Sequence, residues 1–223
     1  MTDCIATLTQ YCDQIVRQPN TGSLTGNAVA TGGYIKQTNV NIGAALVSGV
    51  DLQLSYKLNL NNLGGVLFGI NGTWLQHNQS TPLPGAHTYD CAGLFGFTCQ
   101  TVSPRWRHIA RATYQTPVDL DFAVTWRYIG PVEQDNNSND ETLHFSTYGA
   151  FSYAPDRVGS YSYIDLALTY HATKNLELRG GVNNVGDKDP PVVPLFIQPG
   201  GANAYSAYDQ LGRELFIAFT AHF

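Results

Sequence analysis

An all-β fold, an antiparallel meander of about seven long strands, is what this sequence predicts. Three observations carry it. Apolar residues recur on every second position in stretch after stretch. Glycines and aromatics dominate, with 22 Gly, 13 Tyr and 10 Phe against a single Met. No apolar run approaches the roughly 18 to 20 residues of a membrane-spanning helix. Successive strand side chains point to opposite faces, so period two means one apolar face and one polar face. Aromatic strands with glycine-supplied turns fit the same class.

Taken in order, the first strand is expected between Gly33 and Leu58. Its clearest part, GVDLQLSYKL, alternates Val50, Leu52, Leu54, Tyr56 and Leu58 with Asp51, Gln53, Ser55 and Lys57. Asn61 to Gly64 makes a turn into GGVLFGINGTWL, with Val66, Phe68, Ile70 and Trp74 on one side. RWRHIARATYQ sets Ala110, Ala112 and Tyr114 against Arg107, Arg111 and Gln115. After Thr116 to Asp119, LDFAVTWRYIG sets Leu120, Phe122, Val124, Trp126 and Tyr128 against Asp121, Thr125 and Arg127. SYSYIDLALTYHA and LELRGGVNN form a hairpin about Thr173 to Asn175, with Ile164, Leu166, Leu168, Tyr170, Leu176, Leu178 and Val182 apolar. The last strand, RELFIAFTAHF, places Leu215, Ile217, Phe219, Ala221 and Phe223 opposite Thr220 and His222.

The connections alternate between short and long. The long ones run near His77 to Thr101, Val132 to Gly159 and Gly186 to Leu211. Loops above about 12 to 15 residues are uncommon in compact domains, and three in register require a reason. A transmembrane β-barrel supplies it: short periplasmic turns, long extracellular loops, apolar side chains outward and polar ones inward. Tyr56, Trp74, Tyr114, Trp126, Tyr128, Tyr170 and Phe223 sit near strand ends, as an interfacial girdle would. Arg107, Arg111, Arg127, Glu177 and Arg179 would be costly in a dry core but not in a wet lumen. A soluble β-sandwich with one solvated face is the alternative.

Lys and Arg number 12 against 17 acids, so no basic footprint points to nucleic acid. No charged start followed by an apolar stretch marks a signal peptide, so either the chain is cytosolic or its front is missing. Cys4 and Cys12, then Cys91 and Cys99, form two pairs of equal spacing. Zinc sites usually pair cysteines about two to four residues apart, so two local disulfides in extracellular loops fit better.

NVNIGAALVSGVDLQLSY, SPRWRH, YIDLALTYHATKNLELRGGVNNVGDKDPP and YDQLGRELFIAFTAHF together resemble the C-terminal part of a TonB-dependent receptor, a plugged outer-membrane transporter. The resemblance covers nearly everything from Gly33 onward. It implies that residues 1–32 are an extracellular loop segment and 33–223 the C-terminal part of the barrel, without plug domain, TonB box or the earlier strands. It also implies that the final strand is a membrane-insertion signal, carried by Leu215, Ile217, Phe219 and Phe223 and read by the barrel-assembly machinery. One departure stands out. Where the family has an aromatic before an aspartate, this chain has Gly186 before Asp187, following Asn183 and Asn184.

No enzyme constellation is visible. His144 and Ser146 with Asp140 and Glu141 lack the evident geometry of an activated nucleophile. The tract EQDNNSNDE reads as a solvated loop rather than a calcium site. The aromatic loops YDCAGLFGFTC and PLFIQPGGANAYSAYD either stack on a ligand or pack on each other. The expected function is energised uptake of a scarce extracellular ligand such as a siderophore, cobalamin or oligosaccharide, with no cofactor. Outer-membrane lipid is an expected partner, and TonB another, through a plug lying elsewhere. A small porin or an outer-membrane enzyme is the alternative.

Overall fold

The computed structural model describes residues 12–24, 33–36, 43–144, 155–193 and 204–221. It divides into two compact units, Met1–Ile42 and Gly43–Phe223. In the first, Ile15–Val16 pairs antiparallel with Tyr34–Ile35. Among its described residues the second carries seven long strands: β1 (Ala44–Asn59), β2 (Gly65–Thr81), β3 (Trp106–Gln115), β4 (Leu120–Ile129), β5 (Tyr161–Thr173), β6 (Leu176–Asn183) and β7 (Glu214–Ala221). Each pairs antiparallel with its neighbours in chain order, and β1 and β7 do not pair with each other. A meander of this kind with open ends is an incomplete barrel. Among the described residues no helix is long and apolar enough to cross a membrane.

The first strand begins at Ala44 rather than Gly33, because Tyr34 and Ile35 are taken up in the other unit. The sequence at the boundary agrees with this: the polar run Gln37 to Asn39 and Gly43 interrupt the alternation. The β1–β2 hairpin is also taller than expected. β2 has 17 residues where β3 has 10, and at about 3.4 Å per residue it runs roughly 24 Å further along the strand direction. Its upper part passes a bulge between Ser48 and Gly49, where one extra residue on β2 shifts the register. The turns are tight for local reasons. At the β1–β2 turn Gly64 has φ +94, and a Cβ there would collide with the Gln115 carbonyl. Asp119, also at positive φ, accepts the His171 N–H with its carbonyl at 2.9 Å.

Burial is inverted relative to a soluble protein. Leu54, Phe122, Leu168 and Ile217 are 61, 48, 41 and 85% exposed. They line one continuous sheet face, since Leu58, Val66, Tyr114, Phe122, Leu168, Gly180 and Ile217 fall in one cross-strand row. Such an apolar face requires hydrocarbon against it. The buried apolar cores lie in the connections beyond the strand ends opposite the tight turns. One gathers Phe95, Val132, Val158, Val193, Tyr205 and Tyr208; the other gathers Cys91, Cys99 and Leu143.

Candidate functional site

The polar face of the sheet forms in register. Gln53, Asn71, Ile109, Arg127 and Tyr163 share one row, and Asp51, Thr73, Arg107, Ile129 and Tyr161 the next. All of these but Tyr161 border a cavity of about 490 Å³, to which Ala207 of the third long connection also contributes. Alternation places these side chains here, because every second residue must leave the apolar face. Thr73 donates to the Asp51 carboxylate at 2.7 Å. Arg107 is exposed and forms no ion pair among the described residues.

Arg127 is the hub. Its Nε and Nη2 donate to the two oxygens of Asp165 at 2.7 and 2.8 Å, and Nη2 also donates to Asp209 at 3.0 Å. The guanidinium lies 5.0 Å from the centre of the Tyr163 ring, and the Tyr163 hydroxyl accepts the Asp209 N–H at 3.3 Å. A fork-to-carboxylate pair of this geometry is among the stronger charge-assisted contacts. It holds the third connection to the sheet. Asp165 in turn accepts the Asn184 N–H at 2.8 Å.

Asn184 heads a compact turn. At φ +49 and almost wholly buried, its side chain donates to the Lys188 carbonyl and accepts the Lys188 N–H, both at 3.0 Å. Asp187 accepts the Arg213 N–H at 2.8 Å and so ties the start of the connection to the start of β7. The side chains of Asn184 and Asp187 make these contacts, so glycine at position 186 is compatible with the turn.

Above the sheet the three long connections form a cap. Leu94–Phe95 pairs with Val132–Gln134, and Val132–Gln134 with Arg157–Val158, joining the first two connections. Phe95 meets Tyr205 of the third edge to face, with ring centroids 6.1 Å apart. The described parts of the aromatic loops therefore pack on each other, although Phe97 remains partly exposed, while 194–203 of the second loop lie outside the described residues. The acidic tract is not simply a solvated loop: Asp135 is buried and accepts the Thr98 and Cys99 N–H groups at 2.8 and 3.0 Å. Gly96, at φ +146, leaves room for this carboxylate where any Cβ would collide with it. Burial pushes the Asp135 carboxyl above its ordinary range despite those N–H donors. Burial also pushes the Tyr205 hydroxyl up to about 12, with the nearby Asp135 charge adding to it, and raises Tyr208 further. Asp90 goes the other way. Its burial is outweighed by N–H bonds from Asn78 and Ala92 and by His77 at 2.6 Å, which hold it low.

Cys91 and Cys99 are bonded to each other, with Cα atoms 5.6 Å apart, in the first connection. Cys12 is disulfide-bonded, and Cys4 lies outside the described residues. Leu215, Ile217 and Phe219 stand on the apolar face of β7, while Phe223 lies outside the described residues. His144 bonds the Ser138 carbonyl at 2.7 Å, and Ser146 lies outside the described residues. No group of three potential metal ligands occurs among the described residues. The Arg127 hub escaped the sequence reading because its partners lie 38 and 82 residues away. The signal available was only an inward arginine and aspartate on adjacent strands.

The family model for the TonB dependent receptor-like β-barrel matches residues 8–185. Solved structures of other proteins share the fold. The ferric enterobactin receptor PfeA of Pseudomonas aeruginosa, in a G324V mutant, is similar at a TM-score of 0.52 and 22% identity, over 80% of this chain and 22% of its own. The siderophore receptor PirA of Acinetobacter baumannii is similar at 0.51 and 17%, over 94% of this chain and 26% of its own. The chain thus spans about a quarter or less of the length of these relatives. An open meander with an apolar outer face, a charged inner face and a cap of packed loops agrees with that match, and the chain belongs to the TonB-dependent receptor β-barrel family of the outer membrane.

Proposed function

We propose that this chain forms the C-terminal wall and extracellular cap of a receptor that takes up an extracellular siderophore by TonB-dependent transport. The observation that carries the reading is the division of one sheet into a lipid-compatible face and a charged face under a folded cap. The relatives' siderophore specificity supports the ligand class. The reading requires the remaining strands, the plug and its TonB contact to come from sequence outside these 223 residues. Residues 1–32 would be an extracellular segment, and no catalytic role is assigned. The test is uptake of iron-labelled siderophores by cells in which the full gene is deleted or intact. Loss of uptake of one siderophore class on deletion supports the reading, and unchanged uptake of all of them under iron limitation overturns it.

Two partners belong to the same proposal. Outer-membrane lipid would cover the apolar face. The barrel-assembly machinery would read β7 through Leu215, Ile217 and Phe219 together with the terminal Phe223. Replacing Phe223 by Ser in the full receptor should lower the folded fraction in outer-membrane extracts; an unchanged fraction would remove this residue from the signal.

A further inference from the structure

Residues 204–211 of the third connection lie against the charged wall as a strap. Over Ala204 to Leu211 three hydrogen bonds are internal, Tyr208 N–H to the Tyr205 carbonyl, Gln210 to the Ala204 carbonyl, and Leu211 N–H to the Asp209 side chain, while the Tyr205 hydroxyl bonds the Gly96 backbone in the cap. No ladder joins it to the sheet. Its polar ties to the wall run from Asp209 to Arg127 and to Tyr163, at 3.0 and 3.3 Å. Arg127 itself is held to the wall more firmly, since Asp165 takes two shorter bonds and shares the same Nη2 with Asp209. When the three groups part, the strap is therefore the member that leaves. Tyr205 and Tyr208 are buried, Tyr205 edge to face on Phe95 of the cap and Tyr208 on Tyr161 of β5 with ring centroids 4.9 Å apart, and the Tyr208 hydroxyl has no hydrogen-bond partner among the described residues. An unpaired buried hydroxyl costs free energy that swinging out toward water would recover.

We propose that residues 204–211 are a releasable strap over the wall cavity, caught at Arg127 by Asp209, and that an anionic ligand group opens it by taking the place of Asp209 on that guanidinium. The cavity under the strap holds the means. Ala207 borders it, and Arg107, without an ion pair among the described residues, stands on the same face as Arg127 and offers an incoming anion its first cationic contact. The exchange replaces one charge-assisted bond by another, so it requires no net loss of pairing at Arg127. A neutral ligand has no group to displace Asp209. The ligand class, though not the strap, rests on the receptor reading above.

The test is amide hydrogen exchange over Tyr205 to Leu211 in the purified full receptor, which needs no transport and so can fail independently of uptake. Asp209→Asn should speed exchange there by about tenfold. In the wild type, inorganic phosphate should speed it relative to chloride at equal ionic strength, and Arg107→Ala should abolish the phosphate effect. Exchange in Asp209→Asn equal to wild type would mean that the tyrosine anchors alone hold the strap. Phosphate acting no better than chloride would end the displacement mechanism.

Discussion

Leu54 and Gln53 are neighbours in β1 that face different solvents, and the difference sets what a charge would cost at each. Leu54 stands on the apolar face, 61% exposed, whereas Gln53 borders the cavity on the opposite face. In the full receptor, Leu54→Arg should lose roughly 2 to 4 kcal/mol of membrane stability, because a guanidinium would enter hydrocarbon near mid-strand. Gln53→Arg should be nearly neutral. Refolding titrations into bilayers check both, and equal effects would reverse the assigned facing. Asp135 makes a second test at this scale. Burial raises its folded-state pKa, so between the unfolded and folded values the folded cap binds more protons than the unfolded chain. Its contribution to stability is present at low pH and lost as pH rises from the ordinary carboxyl value through the raised one. Asp135→Asn keeps an acceptor for Thr98 and Cys99 but cannot titrate. The variant should flatten the acid-side dependence of hydrogen exchange over Phe95 to Gln100, measured between about pH 4 and pH 8. A slope unchanged by the variant would assign the dependence to another group.

At the scale of elements, the strands and the connections are held by different forces. A strand such as β4 satisfies its backbone through neighbours on both sides, which hydrocarbon makes obligatory. The connections instead rely on small packed clusters and covalent closure. The Cys91–Cys99 bond closes a loop of sequence separation 8 beneath Tyr89 and Leu94. The loop-closure entropy for such a ring is about 2 to 3 kcal/mol. Cys91→Ser with Cys99→Ser should therefore loosen the cap while leaving the sheet intact. Limited proteolysis of the full receptor should then cut within residues 83–100 while the barrel's heat-modifiable migration persists; resistance equal to wild type would show that packing suffices. The β1–β2 hairpin illustrates the opposite case. Its extension through Ser80 and Thr81 continues the ladder beyond the apolar rows, so a polar sequence there still forms strand, paired to Ala44 and Ala45 and joined by Tyr89–Asp90.

Taken whole, the second unit is a sheet without a core of its own beneath a cap that has one, and this makes its assembly conditional. β1 and β7 each present an edge with no partner among the described residues, and unsatisfied backbone groups in hydrocarbon cost several kcal/mol each. Expressed without the rest of a barrel, the 223-residue chain should not yield a heat-modifiable folded species in detergent, and co-expression with the preceding strands should restore one. A folded species from the chain alone would mean that the edges find each other. The strand order, the facing of Leu54, Phe122 and Ile217, and the alternation of short and long connections were all legible in the sequence. A sheet between lipid and water leaves each residue only two environments, and period two writes that choice directly into the chain. The start of β1 was less so, because Tyr34 and Ile35 are themselves strand-forming and only their pairing with Ile15–Val16 shows which unit they serve. The cap and the Arg127 hub were decided by tertiary structure. Asp135 meeting Thr98, Phe95 meeting Tyr205 and Asp209 meeting Arg127 join residues tens of positions apart, and such contacts leave no periodicity for a local pattern to record.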